Sequence, residues 1–288
     1  MSALKVVLNA FRSEIVFGWF ASVYSAIGVI AAKVVGIKSV IVIGGVDVAR
    51  ERDLGYGIWL SPWRAKLLRY ALQHADLVLA VDPCLKEDAM HLAEYDGKNI
   101  LYLPTGYNTS FWKPVGEKET LVLTVAVVND ERRLMVKGID VLMETARMLH
   151  DVSFVVLGIA PQLVARLNPP ENVKCFDVME RSELLPFYRR AKFYCQPSRR
   201  EGLANTLCEA MACGCIPVAT DVGGNRTAVG DAGMLVAPGD SQALSSGLRD
   251  AMNLSDDSSA RARARIVALF PKEKRENELL RLIRNLLE

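Results

Sequence analysis

Short, uninterrupted apolar runs alternate with longer mixed stretches along this chain of 288 residues. In the first part the runs fall at residues 15–18, 40–43, 77–81 and 100–103. They are continuous rather than alternating, the pattern of strands buried on both faces of a parallel sheet. The stretches 20–35, 62–75 and 84–95 between them predict helices, and residues 1–12 predict one more. After residue 119 the rhythm restarts, with strands predicted at 121–128, 153–157, 173–176, 193–196 and 216–220 and a short edge strand at 234–236. Helices are predicted near 138–149, 162–167, 182–190, 203–213, 241–253 and 258–268, and an amphipathic one closes the chain at 272–287. Strands alternating with helices imply an α/β fold with parallel sheets. A stretch at 108–119 holds Pro114, Gly116 and a cluster of charges, the composition of a linker. The expected domains are 1–115 and 116–288, with the last helix a candidate to pack back on the first domain. Doubly wound sheets of this kind bind ligands at the carboxyl ends of their strands.

Composition changes this picture little. Hydrophobic residues make up 51% and charged residues 24% of the chain, enough for a core. The net charge is +2, and neither part carries the basic excess of a nucleic-acid binder. Residues 15–32 hold no charge and are long enough to raise a membrane anchor. Gly18 and Ser22 stand where a strand would turn into a helix, and Lys33 ends the run, so a buried strand and helix are expected. The six cysteines (Cys84, Cys175, Cys195, Cys208, Cys213 and Cys215) show no C-x-x-C spacing. They read as reduced, buried thiols of a cytoplasmic protein.

Residues 193–224, FYCQPSRREGLANTLCEAMACGCIPVATDVGG, carry the strongest chemistry. A strand ends at Gln196, a polar loop follows, and a helix is expected to open near Gly202. The N–H groups of Gly202, Leu203 and Ala204 would then be unpaired donors, a phosphate-binding arrangement. Glu201 stands at the helix start, and Glu209, eight residues on, would fall near the same face. Gly223-Gly224 lets a ligand approach the next turn's backbone.

This segment resembles the donor-site signature of the family 4 glycosyltransferases, retaining enzymes with two Rossmann-like domains (the GT-B fold). The resemblance implies that Glu201 contacts the transferred sugar, Glu209 the ribose, and the backbone of Gly202 and Leu203 the diphosphate and sugar. In the family a lysine and an arginine hold the diphosphate. Within VVNDERRLMVKGIDVL (127–142), Lys137, followed by Gly138, matches the lysine, and Arg132 or Arg133 the arginine. Fixed cations of this kind stabilise charge growing on the leaving diphosphate, so no metal and no cofactor is expected beyond the nucleotide-diphosphate sugar itself.

The resemblance is incomplete in the first part. Residues 43–57 (IGGVDVARERDLGYG) place Gly44, Gly45 and Asp47 after a strand, but the family's histidine is absent. Asp47 is either a sugar or acceptor contact or a turn-capping aspartate. The N-terminal domain is shortened, lacking about three strands that such a domain would carry before residue 13. An exposed sheet edge follows, and a second copy or a partner subunit is expected to cover it. Asn225-Arg226-Thr227 replaces the family's usual proline and glutamate. Trp59–Tyr70 carries Arg64, Lys66 and Arg69 with no acidic neighbour, either a solvated basic face or a peripheral membrane contact delivering a lipid-linked acceptor. The expected activity is retaining transfer of a sugar to a glycan or lipid-linked acceptor. The alternative is a non-catalytic nucleotide-sugar-binding subunit.

Overall fold

The computed structural model describes residues 3–255 and 257–288. The chain divides into two compact units. One contains the residues up to Thr105 together with Glu273–Glu288, and the other is Gly106–Lys272. The boundary thus lies ten residues before the expected one, and most of the last helix groups with the first unit.

The first unit contains α1 (Ala3–Ala10), β1 (Ile15–Trp19), α2 (Val23–Val35), β2 (Lys38–Ile43), α3 (Pro62–His74), β3 (Leu77–Ala80), α4 (Pro83–Ala93) and β4 (Ile100–Tyr102). Its sheet is parallel, in the order β1-β2-β3-β4. Every residue of β3 is buried and β2 is buried after its first residue, whereas β1, at the edge, is half exposed. That difference follows from sheet position, because an edge strand is covered on fewer sides. The uncharged stretch 15–32 is accordingly a strand and a helix. Ser22 starts α2 with a reciprocal cap to Ser25, and Gly36 ends it with a left-handed φ of 79°. No helix among the described residues is long and apolar enough to cross a membrane.

The basic stretch at 59–70 differs from its sequence reading. Trp59 is buried, and its indole N–H donates to the Asp47 carbonyl at 2.8 Å. Arg69 has an acidic neighbour after all, Glu94 at 2.7 Å. Leu68, Ala71 and Leu72 are the buried face of α3.

The second unit contains β5 (Glu119–Val128), α5 (Glu131–Val136), α6 (Ile139–Met148), β6 (Ser153–Ile159), α7 (Pro161–Leu167), β7 (Val173–Phe176), α8 (Leu185–Arg190), β8 (Ala191–Gln196), α9 (Asn205–Ala212), β9 (Ile216–Thr220), α10 (Asn225–Val229), β10 (Met234–Val236), α11 (Ser241–Met252) and α12 (Asp257–Leu269). The final helix, α13 (Lys272–Leu287), begins at this unit's last residue. The six strands are parallel, ordered β10-β9-β8-β5-β6-β7. The core joins Val122, Phe154, Val156, Phe193, Ile216 and Val218 of the sheet to Leu142, Leu244 and Leu248 of α6 and α11. The chain enters at β5, winds outward through β6 and β7, then crosses to β8, β9 and β10 on the other side. The winding reverses between β5 and β8, and ligands of doubly wound sheets bind beside such a reversal, outside the carboxyl ends of the strands.

Two helices differ from the sequence reading. The helix expected at 138–149 is α6, and ahead of it, across Lys137-Gly138, stands α5, which the sequence reading did not include. Asp130 caps α5, accepting from the Arg133 backbone N–H at 2.7 Å. Gly138 takes a left-handed φ of 65°, and a Cβ there would stand 1.9 Å from the Pro197 carbonyl oxygen. The helix expected from Gly202 begins at Asn205, so Gly202 and Leu203 precede it.

Candidate active site

The loops after β5 and β8 are the two that flank the reversal of winding, and they are tied together. The Arg199 backbone N–H donates to the Val136 carbonyl at 2.8 Å. The Arg199 guanidinium grips both oxygens of Asp140, at 2.8 and 2.7 Å, and donates to the Met135 carbonyl at 2.6 Å. Planar two-point pairing of this kind fixes orientation as well as distance, and Asp140 holds the Arg199 pKa above its ordinary value. Arg199 and Asp140 were not singled out from the sequence. The PSRREG segment held a signal in its arginine pair, but the partner lies 59 residues away.

This frame brings Lys137 to Glu201. The ammonium donates to Glu201 Oε1. Gln196 Nε2 and Ser198 Oγ donate to the same oxygen, at 2.9 and 2.8 Å. Both of these residues are buried, and Gln196 Nε2 also donates to Ser198 Oγ at 2.9 Å. Three donors therefore hold one carboxylate oxygen, while Oε2 has no partner among the described residues. The Lys137 side chain is 25% exposed and that of Glu201 11%, so the pair sits at the rim of the buried network.

The glycine turn after β9 packs against the same place. Gly223 has a φ of 49°, and a Cβ on it would come within 2.0 Å of the Glu201 carbonyl oxygen. The Gly224 N–H donates to the Gly202 carbonyl at 2.8 Å. Gly202 and Leu203 are buried between Glu201 and Ala204, the N-cap of α9. Alanine supplies no side-chain acceptor, so the cap leaves the first-turn amides of α9 available to a ligand oxygen. At the two positions where the chain departs from the family pattern, Asn225 is buried and Arg226 is exposed, and each bonds within this unit. Asn225 Nδ2 donates to the Thr220 carbonyl at 3.1 Å, and Arg226 pairs with Asp221.

Glu209 is placed differently from its sequence reading. It lies inside α9 and Glu201 lies before it, so no single helical face carries both. Its side chain is 3% exposed, against 65% for its partner Arg181. Arg181 donates to Oε1 through Nε at 2.9 Å and through a second nitrogen, and Tyr188 donates to Oε2 at 3.3 Å. The guanidinium also lies 5.4 Å from the ring centre of Trp112. Burial pushes the Glu209 carboxyl above its ordinary range, and Arg181 opposes that shift. A ribose reaching this carboxylate would have to share it with Arg181 or displace it.

Arg132 and Arg133 are exposed on α5, with no side-chain partner among the described residues. Gly44, Gly45 and Asp47 belong to the first unit. Asp47 is wholly buried and accepts from the backbone N–H groups of Ala21, Gly44 and Gly45, at 3.0, 3.1 and 2.7 Å. Burial raises its pKa, and these amides work against the rise. Of the two sequence readings, this is the turn aspartate. No group of three or more His, Cys, Asp or Glu that could hold a metal is present among the described residues.

Residues 121–253 match the model of the family described as glycosyl transferases group 1. The chain is 27% identical over 284 residues to the alpha-maltose-1-phosphate synthase of Mycolicibacterium smegmatis, covering 87% of this chain and 71% of that protein. It is 26% identical over 170 residues to one subunit of the phosphatidylinositol N-acetylglucosaminyltransferase of Arabidopsis thaliana, covering 55% of this chain and 38% of that protein. Among solved structures, Anabaena HepE in complex with UDP superposes with a TM-score of 0.79 at 17% identity, over 98% of this chain and 82% of that one. Sucrose-phosphate synthase of Thermosynechococcus elongatus gives 0.78 at 19% identity, over 98% and 76%. With its strand order and these likenesses in agreement, the chain has the GT-B fold, and over residues 121–253 it is similar to the group 1 glycosyl transferases.

Proposed function

We propose that the second unit binds a nucleotide-diphosphate sugar beside the carboxyl ends of β5 and β8, and that the protein transfers the sugar with retention of configuration to a glycan or lipid-linked acceptor. The observation that carries the reading is the meeting of Lys137 and Glu201 at the reversal of winding, next to the uncapped start of α9. The two relatives named above are synthases or transferases of sugars, and the Anabaena structure holds UDP. In the reaction the bond from the anomeric carbon to the diphosphate breaks, and negative charge grows on the departing oxygen. Lys137 and the amides ahead of α9 are donors fixed in place for that charge, which spares solvent reorganisation, and Arg132 or Arg133 adds a cation from the exposed surface of α5. Glu201 is held rigidly through Oε1, leaving Oε2 for a hydroxyl of the transferred sugar. The acceptor hydroxyl attacks on the face the diphosphate leaves, which retains configuration. Cations in these positions do the work a metal would do, so turnover is expected to survive chelation.

Thermal-shift and donor-hydrolysis assays with UDP-, GDP- and ADP-sugars test the reading, repeated with Lys137→Ala and Glu201→Ala. One donor class should stabilise the protein, and both substitutions should remove that stabilisation. Equal stabilisation in both variants would mean that the donor sits elsewhere. The second reading, a donor-binding protein without turnover, draws on the burial of Asp47, which removes that residue from any sugar or acceptor contact. Stabilisation by a donor without transfer to any acceptor would select it.

A further inference from the structure

Arg199 stands two positions before Glu201, and its bonds end on the neighbours of Lys137. The backbone N–H donates to the Val136 carbonyl, and the guanidinium donates to the Met135 carbonyl and to both oxygens of Asp140. Arg199 therefore holds the chain on both sides of the lysine. That segment needs a hold. α5 is six residues long, and Val136 is its one buried residue. A helix so short is unstable without tertiary support, and its last carbonyls have no partner within the helix. Arg199 takes those of Met135 and Val136, and a cation at a helix C-terminus is favoured by the helix dipole as well. Lys137 is the C-cap of α5, so a shift of α5 carries the lysine with it. Its side chain is a flexible four-carbon stem, and the backbone from which it starts decides where the ammonium can sit.

We propose that Arg199 is a positioning residue of the donor site, resting on the donor reading given above, and that it acts on the diphosphate through Lys137 without touching the ligand. Its charge is already spent on Asp140, so it brings no further cation to the diphosphate. Glu201 is held by Gln196 and Ser198 as well, so loss of Arg199 displaces the lysine more than the glutamate. A donor that is fixed before the leaving-group charge develops needs no reorganisation during the reaction. The planar fork of Arg199 supplies that fixing, since it meets both oxygens of one carboxylate in a set orientation, which an ammonium does not do.

The test is a double-variant cycle on the full chain, read by calorimetric titration with UDP, GDP and ADP and carried through with whichever binds the wild type most tightly. Arg199→Met should weaken that binding by about two- to tenfold. In the Lys137→Met background the same substitution should change the affinity by less than about twofold, because no ammonium is left to misplace. A fall in melting temperature would accompany any structural role, whereas a difference between the two backgrounds would not. Arg199→Lys keeps a charge opposite Asp140 but loses the two-point grip. Its affinity should fall between those of the wild type and Arg199→Met, and it takes the place of Arg199→Met in the cycle should that variant fail to fold. An equal loss of affinity in both backgrounds would overturn the proposal, since Arg199 would then act by a route other than Lys137. Weakened binding by Lys137→Met with none by either Arg199 variant would overturn this proposal alone and leave the donor site standing. Absence of nucleotide binding by the wild type, or binding that Lys137→Met leaves untouched, would overturn the donor site and this proposal together.

Discussion

Replacing Lys137 by Met tests the pair on which the site is built. The change removes the ammonium from Glu201 Oε1 and leaves the Gln196 and Ser198 donors in place. An exposed ion pair is worth about 0–1 kcal/mol, and breaking a fully buried one costs about 3–5 kcal/mol. With Lys137 a quarter exposed and Glu201 keeping two donors, the expected cost lies between, about 1–3 kcal/mol, the range of a hydrogen bond to a charged group. For a unit of this size each kcal/mol moves the melting temperature by about 2–4 °C. Scanning calorimetry should therefore show a fall of about 2–12 °C. Glu201→Gln and the double variant complete a cycle, in which residues in contact should couple by about 0.5–3 kcal/mol. If Lys137 also holds the diphosphate, titration with UDP or another nucleoside diphosphate should show affinity reduced about tenfold or more, the equivalent of about 1.4 kcal/mol. Single effects that simply add would refute the coupling. Lost stability with unchanged nucleotide affinity would leave the pair as architecture and remove it from the donor site.

Three further outcomes follow from the same structure. Glu209 has a folded pKa raised above 4.5, so its contribution to stability is complete below that pH and is lost as pH rises through the folded value. Arg181→Met removes the group that opposes the rise, so the gap in urea midpoint between variant and wild type should widen from about pH 4.5 towards neutrality; a gap that narrows contradicts the assignment. Asp47→Asn keeps the shape but sets an amide donor against backbone N–H groups, and thermal denaturation should register a loss of about 1–3 kcal/mol. Unchanged stability would mean that Asp47 is not the hub of its turn. Burial pushes the thiols of Cys195 and Cys213 up to about 12 and raises that of Cys215, and Cys208 is buried with them. A thiol reagent at mildly alkaline pH should reach only Cys84 and Cys175 in the native protein and all six after denaturation; rapid labelling of Cys213 or Cys215 would argue against the packing of α9 on β9.

The sequence by itself determined the strands and most of the helices. Apolar runs are local signals, and β7, β9 and β10 begin and end where those runs do. Spacing and residue type around Glu201 and Lys137 were enough to nominate both, since strand ends and glycine turns are also written locally. What tertiary structure decided is which of the nominated groups meet, and in what state. Lys137 and Glu201 are 64 residues apart, and they touch because the strand order sets β5 beside β8. The same order sets Arg199 on Asp140 and Gly138 against Pro197, where the chain passes from the unforeseen α5 into α6. Asp47 had two equally local readings, and burial under three backbone amides chose between them. Arg181 shared no pattern with Glu209 along the chain, yet it occupies that carboxylate. Periodicity reports which side of a segment is buried, whereas ion pairs and hydrogen bonds depend on which loops the sheet brings side by side. That is set by the packing of the whole unit and is not encoded in any one stretch.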